Sequence, residues 1–203
     1  MDKYPICYDT DEMDAYEAFI EENFGPMRDG TIAHELSSEY VHSDVQVFTS
    51  DWCDGDCMYV TMGMGARDQI SPLMEYKRIE LMIFSSEKNK KDIDAINQLV
   101  GLSKFPFRNN TWLGPWHTID AMDSFKEKFG FGAFLFLPEI YGEYITSDGD
   151  TVKLLPLLPL YTEEREVLML CNEESKSLKE KLIDKIAEGE ISFRIDDKRE
   201  CLV

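Results

Sequence analysis

No stretch of this 203-residue chain approaches the roughly 20 consecutive apolar residues needed to cross a bilayer, so a membrane-spanning role is not expected. The first residues, MDKYPICYDTDEMD, have neither the basic start nor the apolar run of a secretory signal, and the expectation is a cytoplasmic protein. Cysteine is sparse. Its five residues are odd in number and lack framework spacing, which fits reduced thiols in a reducing compartment. Cys7, Cys171 and Cys201 read as structural or incidental. Ser/Gly-rich and Pro-rich linkers, internal repeats and sustained heptads are absent, which excludes solenoids and coiled coils and points to one core. Basic residues are scarce as well: 21 Lys and Arg stand against 40 Asp and Glu, a formal charge of -19. Such a field repels phosphates and anionic membranes, so neither a direct nucleic-acid partner nor a membrane is expected, whereas a cationic protein would be steered toward it.

What is present suffices for a core. Hydrophobic residues make up 43% and aromatics 12% of the chain, enough apolar area to fold without a disulfide or structural metal. Met13, Tyr16, Ile20 and Phe24 recur at helical spacing between Asp11 and Phe24, and Gly25-Pro26 stops that helix. From Tyr40 the period becomes two, with Val41, Val45 and Val47 on one face and His42, Asp44 and Gln46 on the other, which reads as a half-buried strand. MYVTMGMGA and KRIELMIF continue as strands, the turn between them containing Pro72. A second helix is expected over about 90–100, capped by Gly101, and a third over about 175–187. FGAFLFLPEI and DTVKLLPLLPLY read as strands joined by a turn at 147–150, with Pro156 and Pro159 assigned to an edge or a bulge, and ISFRI as a last strand. Short connections between alternating strands favour an α+β fold: a mixed, largely antiparallel sheet with one covered face, packed with helices. Residues 1–29 are read as an amino-terminal helical segment packed on a single unit spanning 30–203.

Five segments carry candidate chemistry, and each has a plainer reading. TMGMGAR lacks the third glycine and the following helix of a dinucleotide fingerprint, so Gly63 and Gly65 more simply permit close approach of another chain segment. CDGDC sets Cys53 and Cys57 four apart, with His34 and His42 upstream, a permissive but unspecific zinc spacing that a hairpin tip explains equally well. No metal and no cofactor are therefore assigned. In WLGPWHTI, His117 could act as a general base oriented by Asp120 or Asp123, but no Ser or Cys nucleophile accompanies it, and Trp116 with His117 can instead anchor a partner. Glu80 lies on a strand where it could face Arg67 or Arg78. TEERE begins with Thr162 as an N-cap hydroxyl followed by acids, either a capped helix start or an exposed acidic contact. The candidate contact residues are Trp116, His117, Tyr161, Glu163 and Glu164. No catalytic residue is assigned.

Taken in order, HELSSEYVHSDVQVF, YVTMGMGAR, YKRIELMIF, TWLGPWHTI, FLPEIYG and VKLLPLLPLYTEERE resemble the suppressor of fused (SUFU) domain family, from about Gly30 onward. The pattern is most similar to bacterial single-domain members. That resemblance implies a binding domain with no enzymatic activity and no required cofactor. Bacterial members of this kind are often immunity proteins that bind and neutralise polymorphic toxins, and with the acidic charge the expected partner is a cationic toxin domain such as a nuclease. Animal members hold a transcription factor in a groove between two domains, and the second domain has no counterpart here, so that clamp is not expected. Two alternatives stay open: a scaffold or regulator of another cellular protein, and a metal-dependent hydrolase using His34, His42, Cys53 or Cys57.

Overall fold

The computed structural model describes residues 6–34, 40–50, 56–86, 92–138 and 142–203. Helix α1 (Thr10–Phe24) begins under an Asp9 cap that accepts the Glu12 N–H at 2.9 Å. Strands β1 (Met27–His34), β2 (Asp44–Ser50), β3 (Asp56–Met62) and β4 (Arg78–Ser85) follow, then α2 (Ile93–Asn109), β5 (Thr118–Asp120) and α3 (Asp123–Phe129). The chain continues through β6 (Ala133–Phe136), β7 (Glu143–Ile145), β8 (Thr151–Leu160), α4 (Thr162–Met169) and α5 (Glu173–Ala187). Among the described residues the strands form one mixed sheet in the order β1-β2-β3-β4-β8-β6-β5, with β7 beside β8. All registered pairings are antiparallel except β4 with β8. This is the α+β architecture expected.

Both faces of the sheet are covered, where one was expected. Val45, Val47, Tyr59, Leu81, Ile83, Phe134, Phe136 and Leu155 meet α2 and α3. On the opposite face Phe48, Met58, Val60, Met82 and Leu154 meet Tyr16, Ile20 and Phe24 of α1, each such side chain contributing about 1.5–3 kcal/mol on burial. Farther along that face, Leu135, Leu158 and Leu160 pack on Leu168 of α4 and on Leu178 and Leu182 of α5. The alternation that suggested a wet face in β2 comes from polar groups that pair under α1: His42 Nε2 lies 3.0 Å from Asp44 Oδ1, and Gln46 donates to Glu17.

Several boundaries differ from expectation. Helix α2 does not stop at Gly101 but runs through it and through Pro106 to Asn109, where Asn110 adopts φ 50° and ends it. Packing of Leu102 and Phe105 against the core outweighs the local cost of Gly and Pro. Strands β1, β5 and β7 and helix α3 are additional elements. ISFRI forms no strand; Arg194 makes a single bridge to Phe84 and pairs with Asp56. Of the two prolines of β8, Pro159 lies at an open edge as expected and Pro156 does not. Pro159 stands beyond the last β4 pair, Met82 with Pro156, and its carbonyl is taken by Arg199 at 3.0 Å instead of by a strand. Pro156 lies inside the sheet, paired with Met82 of β4 on one side and accepting the Leu137 N–H on the other.

Candidate partner-binding site

The connection from α2 to β5 is clamped at its base. Buried Gln69 donates to the carbonyls of Leu113 and Tyr76, both at 2.7 Å, and accepts the Leu113 N–H at 2.8 Å. Gly114 lies on the face of Trp112, where a Cβ would come within 2.2 Å of the indole, so no larger residue fits. Trp116 sits at φ 68°, a left-handed conformation seldom taken by a residue with a side chain. Its N–H donates to Phe136 O at 2.7 Å, and the Phe136 N–H returns a bond to His117 O at 2.9 Å.

These bonds also set the outer edge of β5. Because His117 and Ala121 bond toward the β6 side, alternation turns the main-chain N–H and C=O groups of Thr118 and Asp120 outward. They open onto a cavity of about 670 Å³, floored by Gln98, Leu102 and Phe105 of α2 and walled by Trp112, His117 and Arg165. The His117 ring meets Trp112 edge-on, centroids 4.3 Å apart. Burial, aided by the Lys179 charge and opposed by the Trp112 main chain, holds its pKa below the usual histidine value and so favours the neutral ring. Arg165 Nη2 lies 3.1 Å from Asp120 Oδ2, while its buried Nε has no partner. Asp120 thus serves Arg165, and among the described residues no carboxylate bonds the His117 ring, so the imagined His–Asp pair is not assembled. The arrangement can hydrogen-bond an extended polypeptide along β5 and pack its side chains on aromatic walls.

The other candidate contacts divide. Trp116 turns away from His117 into a separate apolar cavity beside α5. Glu163 is exposed. Glu164 is fully buried, 0% exposed, and cannot meet a partner from there: its oxygens accept from Arg199 Nη1 at 2.5 Å and Nη2 at 2.6 Å, and from the N–H groups of Leu202 and Tyr161, both at 3.0 Å. Half-buried Tyr161 packs at a tilt against Phe131 and donates its hydroxyl to Arg199 O, so its side chain is tied to the same carboxy-terminal segment. Tyr161, not Thr162, occupies the N-cap position of α4, because the Glu164 carboxylate takes up its N–H.

The remaining motifs have other partners than those imagined. Glu80 meets neither arginine. Its carboxylate accepts from Thr61 Oγ1 at 2.5 Å and from the N–H groups of Gly63 and Gly65 at 2.8 and 2.9 Å. Arg67 donates to Tyr40 O, and Arg78 pairs with Asp68 and Asp150. The glycines do serve close approach, though in a turn: a Cβ at Gly63 would come within 2.3 Å of His42 O, and one at Gly65 within 2.5 Å of the Tyr8 hydroxyl. Cys57 is buried and receives Arg28 Nη1 at 3.0 Å. Cys53 and the His34 side chain lie outside the described residues, among which no three His, Cys, Asp or Glu side chains gather to hold a metal. No helix there is long and apolar enough to cross a membrane.

Sequence reading missed Arg165, Gln69 and the open edge of β5. The signal for Arg165 was present in TEERE, a run read for its acids alone. Comparison with known proteins gives a family and a fold. The family model described as Suppressor of fused protein (SUFU) matches residues 40–200. A crystal structure of a SUFU homologue from Neisseria gonorrhoeae superposes with a TM-score of 0.67 at 20% identity, covering 96% of this chain and 98% of that one. A Sufu–Fu complex structure aligns with a TM-score of 0.54 at 12% identity, covering 83% of this chain and 81% of that one. No curated protein matches.

Proposed function

Since this chain belongs to the suppressor of fused family, we propose that it is a non-enzymatic binding domain that holds a cationic polypeptide, and that its role is immunity against a polymorphic toxin, such as a basic nuclease. The observation that carries the reading is the aromatic-walled cavity onto which Thr118 and Asp120 present main-chain hydrogen-bonding groups. An extended segment of the partner pairs with that edge, its side chains packing on Trp112 and His117. The charge of -19 steers the approach, since surface charge acts mainly on association rate, and exposed Glu163 contributes to the acidic surroundings. Trp116 lines its own apolar cavity, while Tyr161 and Glu164 stabilise the fold. The existence of a Sufu–Fu complex for a protein of like fold supports a polypeptide as the occupant.

Co-expression with the product of a neighbouring toxin-like gene tests the role, and capture of that product by tagged protein tests the contact. Protection of viability, lost in Thr118→Pro, is the expected result: that change deletes one outward N–H and spares the bonds toward β6. Undiminished protection by a folded Thr118→Pro variant would refute the edge-pairing site. Stable capture without protection would refute immunity and favour a regulator of another protein.

A further inference from the structure

The second cavity is chemically unlike the first. It measures about 310 Å³ and is lined by Trp116, Leu137, Pro138, Ile183, Ile186 and Ala187, all apolar. Ile183 remains 44% exposed within it, whereas Leu178 and Leu182 of α5 are buried in the core. One helical turn before Ile183, on the same face of α5, the Lys179 ammonium lies 5.9 Å from the centre of the Trp116 ring. Lys179 has no carboxylate partner among the described residues. The apolar trough therefore has beside it, over the Trp116 ring that lines it, a cation that no carboxylate among the described residues neutralises.

We propose that this cavity binds an alkyl carboxylate, with a chain of roughly six to ten carbons along Trp116, Ile183 and Ile186 and its carboxylate at Lys179. The length follows from volume: a cavity of about 150 Å³ holds the six carbons of benzene, and this one is about twice that size. The lining selects against an extended peptide. Its main-chain N–H and C=O groups would meet no polar side chain in the trough and would lose their hydrogen bonds to water, whereas methylenes lose none. The net negative charge of the protein does not exclude an anion, because salt at physiological strength screens charges beyond about 8 Å while Lys179 acts at contact. The site lies next to the first cavity, since the Lys179 charge also reaches His117, but its occupant and its test do not rest on the proposed function.

Titration of the intact protein with sodium octanoate, followed by NMR, tests the assignment. Saturable shifts are expected at the Trp116 indole N–H and the Ile183 and Ile186 methyls, with 1-octanol about fivefold weaker. Lys179→Met weakens octanoate by about fivefold and leaves 1-octanol unchanged, a size set by a partly exposed ion pair. Ala187→Phe, which fills the trough, abolishes both while the remaining resonances keep their dispersion. The assignment is overturned by shifts confined to other surfaces, by equal affinity for octanoate and 1-octanol, or by an octanoate affinity indifferent to Lys179→Met. Tighter binding of the capped peptide acetyl-Leu-Ile-Leu-amide at the same residues overturns it as well.

Discussion

Glu80 offers a test in which burial and hydrogen bonding oppose each other. Its carboxyl is 0% exposed, and burial pushes its pKa from 4.5 up to about 7, even though Thr61, Gly65 and Gly63 all donate to the charged form. The Tyr8 hydroxyl lies beside it, and among the described residues no basic side chain hydrogen-bonds to it. Between pH 4.5 and about 7 the folded protein keeps this proton while the unfolded chain has released it. The contribution of Glu80 to stability is thus fully present below pH 4.5 and is lost as pH rises through 7. At about 1.4 kcal/mol per pKa unit the loss amounts to about 3 kcal/mol. Glu80→Gln fits the same nest, because an amide oxygen accepts both glycine N–H groups and its NH₂ can donate to Thr61 Oγ1. Urea unfolding of both proteins from pH 4.5 to 8.5 isolates this residue, since the other carboxylates cancel in the difference. The variant should match the parent near pH 4.5 and exceed it by about 3 kcal/mol above pH 8. A constant difference across that range would refute the argument.

Arg199→Met strands the fully buried Glu164 carboxylate and should cost about 3–5 kcal/mol in chemical denaturation. Combining it with Glu164→Leu should recover much of that loss, because no uncompensated charge then remains. Gly114→Ala forces a Cβ against the Trp112 ring and should destabilise by about 1–3 kcal/mol, with a change in tryptophan fluorescence in the folded state. Gln69→Leu leaves the Leu113 N–H and the carbonyls of Leu113 and Tyr76 without their partner. Hydrogen exchange at Leu113 should accelerate, and stability should fall by about 1–3 kcal/mol.

The elements that were readable in sequence are those whose local pattern and final environment agree. Helix α1 is one: Tyr16, Ile20 and Phe24 recur at helical spacing and are the residues it buries. Strand β4 is another, since Ile79, Leu81 and Ile83 share a face and a core. Where tertiary contact overrules local preference the reading stops short. Gly101 and Pro106 look like a helix end, yet Leu102 and Phe105 gain more by continuing into the core. The second covered face of the sheet was hidden for a related reason. Gln46 looks solvated until α1 supplies Glu17, a partner 29 positions away in the chain, and Asp44 looks so until His42 pairs with it.

The candidate site was legible only as a suspicious loop. WLGPWHTI concentrates aromatic residues around a turn, but nothing local reveals that Trp116 and His117 enter different cavities. That division depends on the left-handed Trp116 and its bond to Phe136, 20 positions ahead. The acidic run TEERE misleads for the opposite reason, because its central carboxylate is neutralised by Arg199, 35 residues later. Composition therefore reports the long-range field that reaches a partner first, while contact surfaces arise where distant segments leave groups unmatched. Among the described residues such groups include the outward main chain of Thr118 and Asp120, the Nε of Arg165 and the ammonium of Lys179. Two of them flank the first cavity and one lies beside the second, so the proposed recognition draws on the margins of α4, α5 and β5 instead of on any single motif.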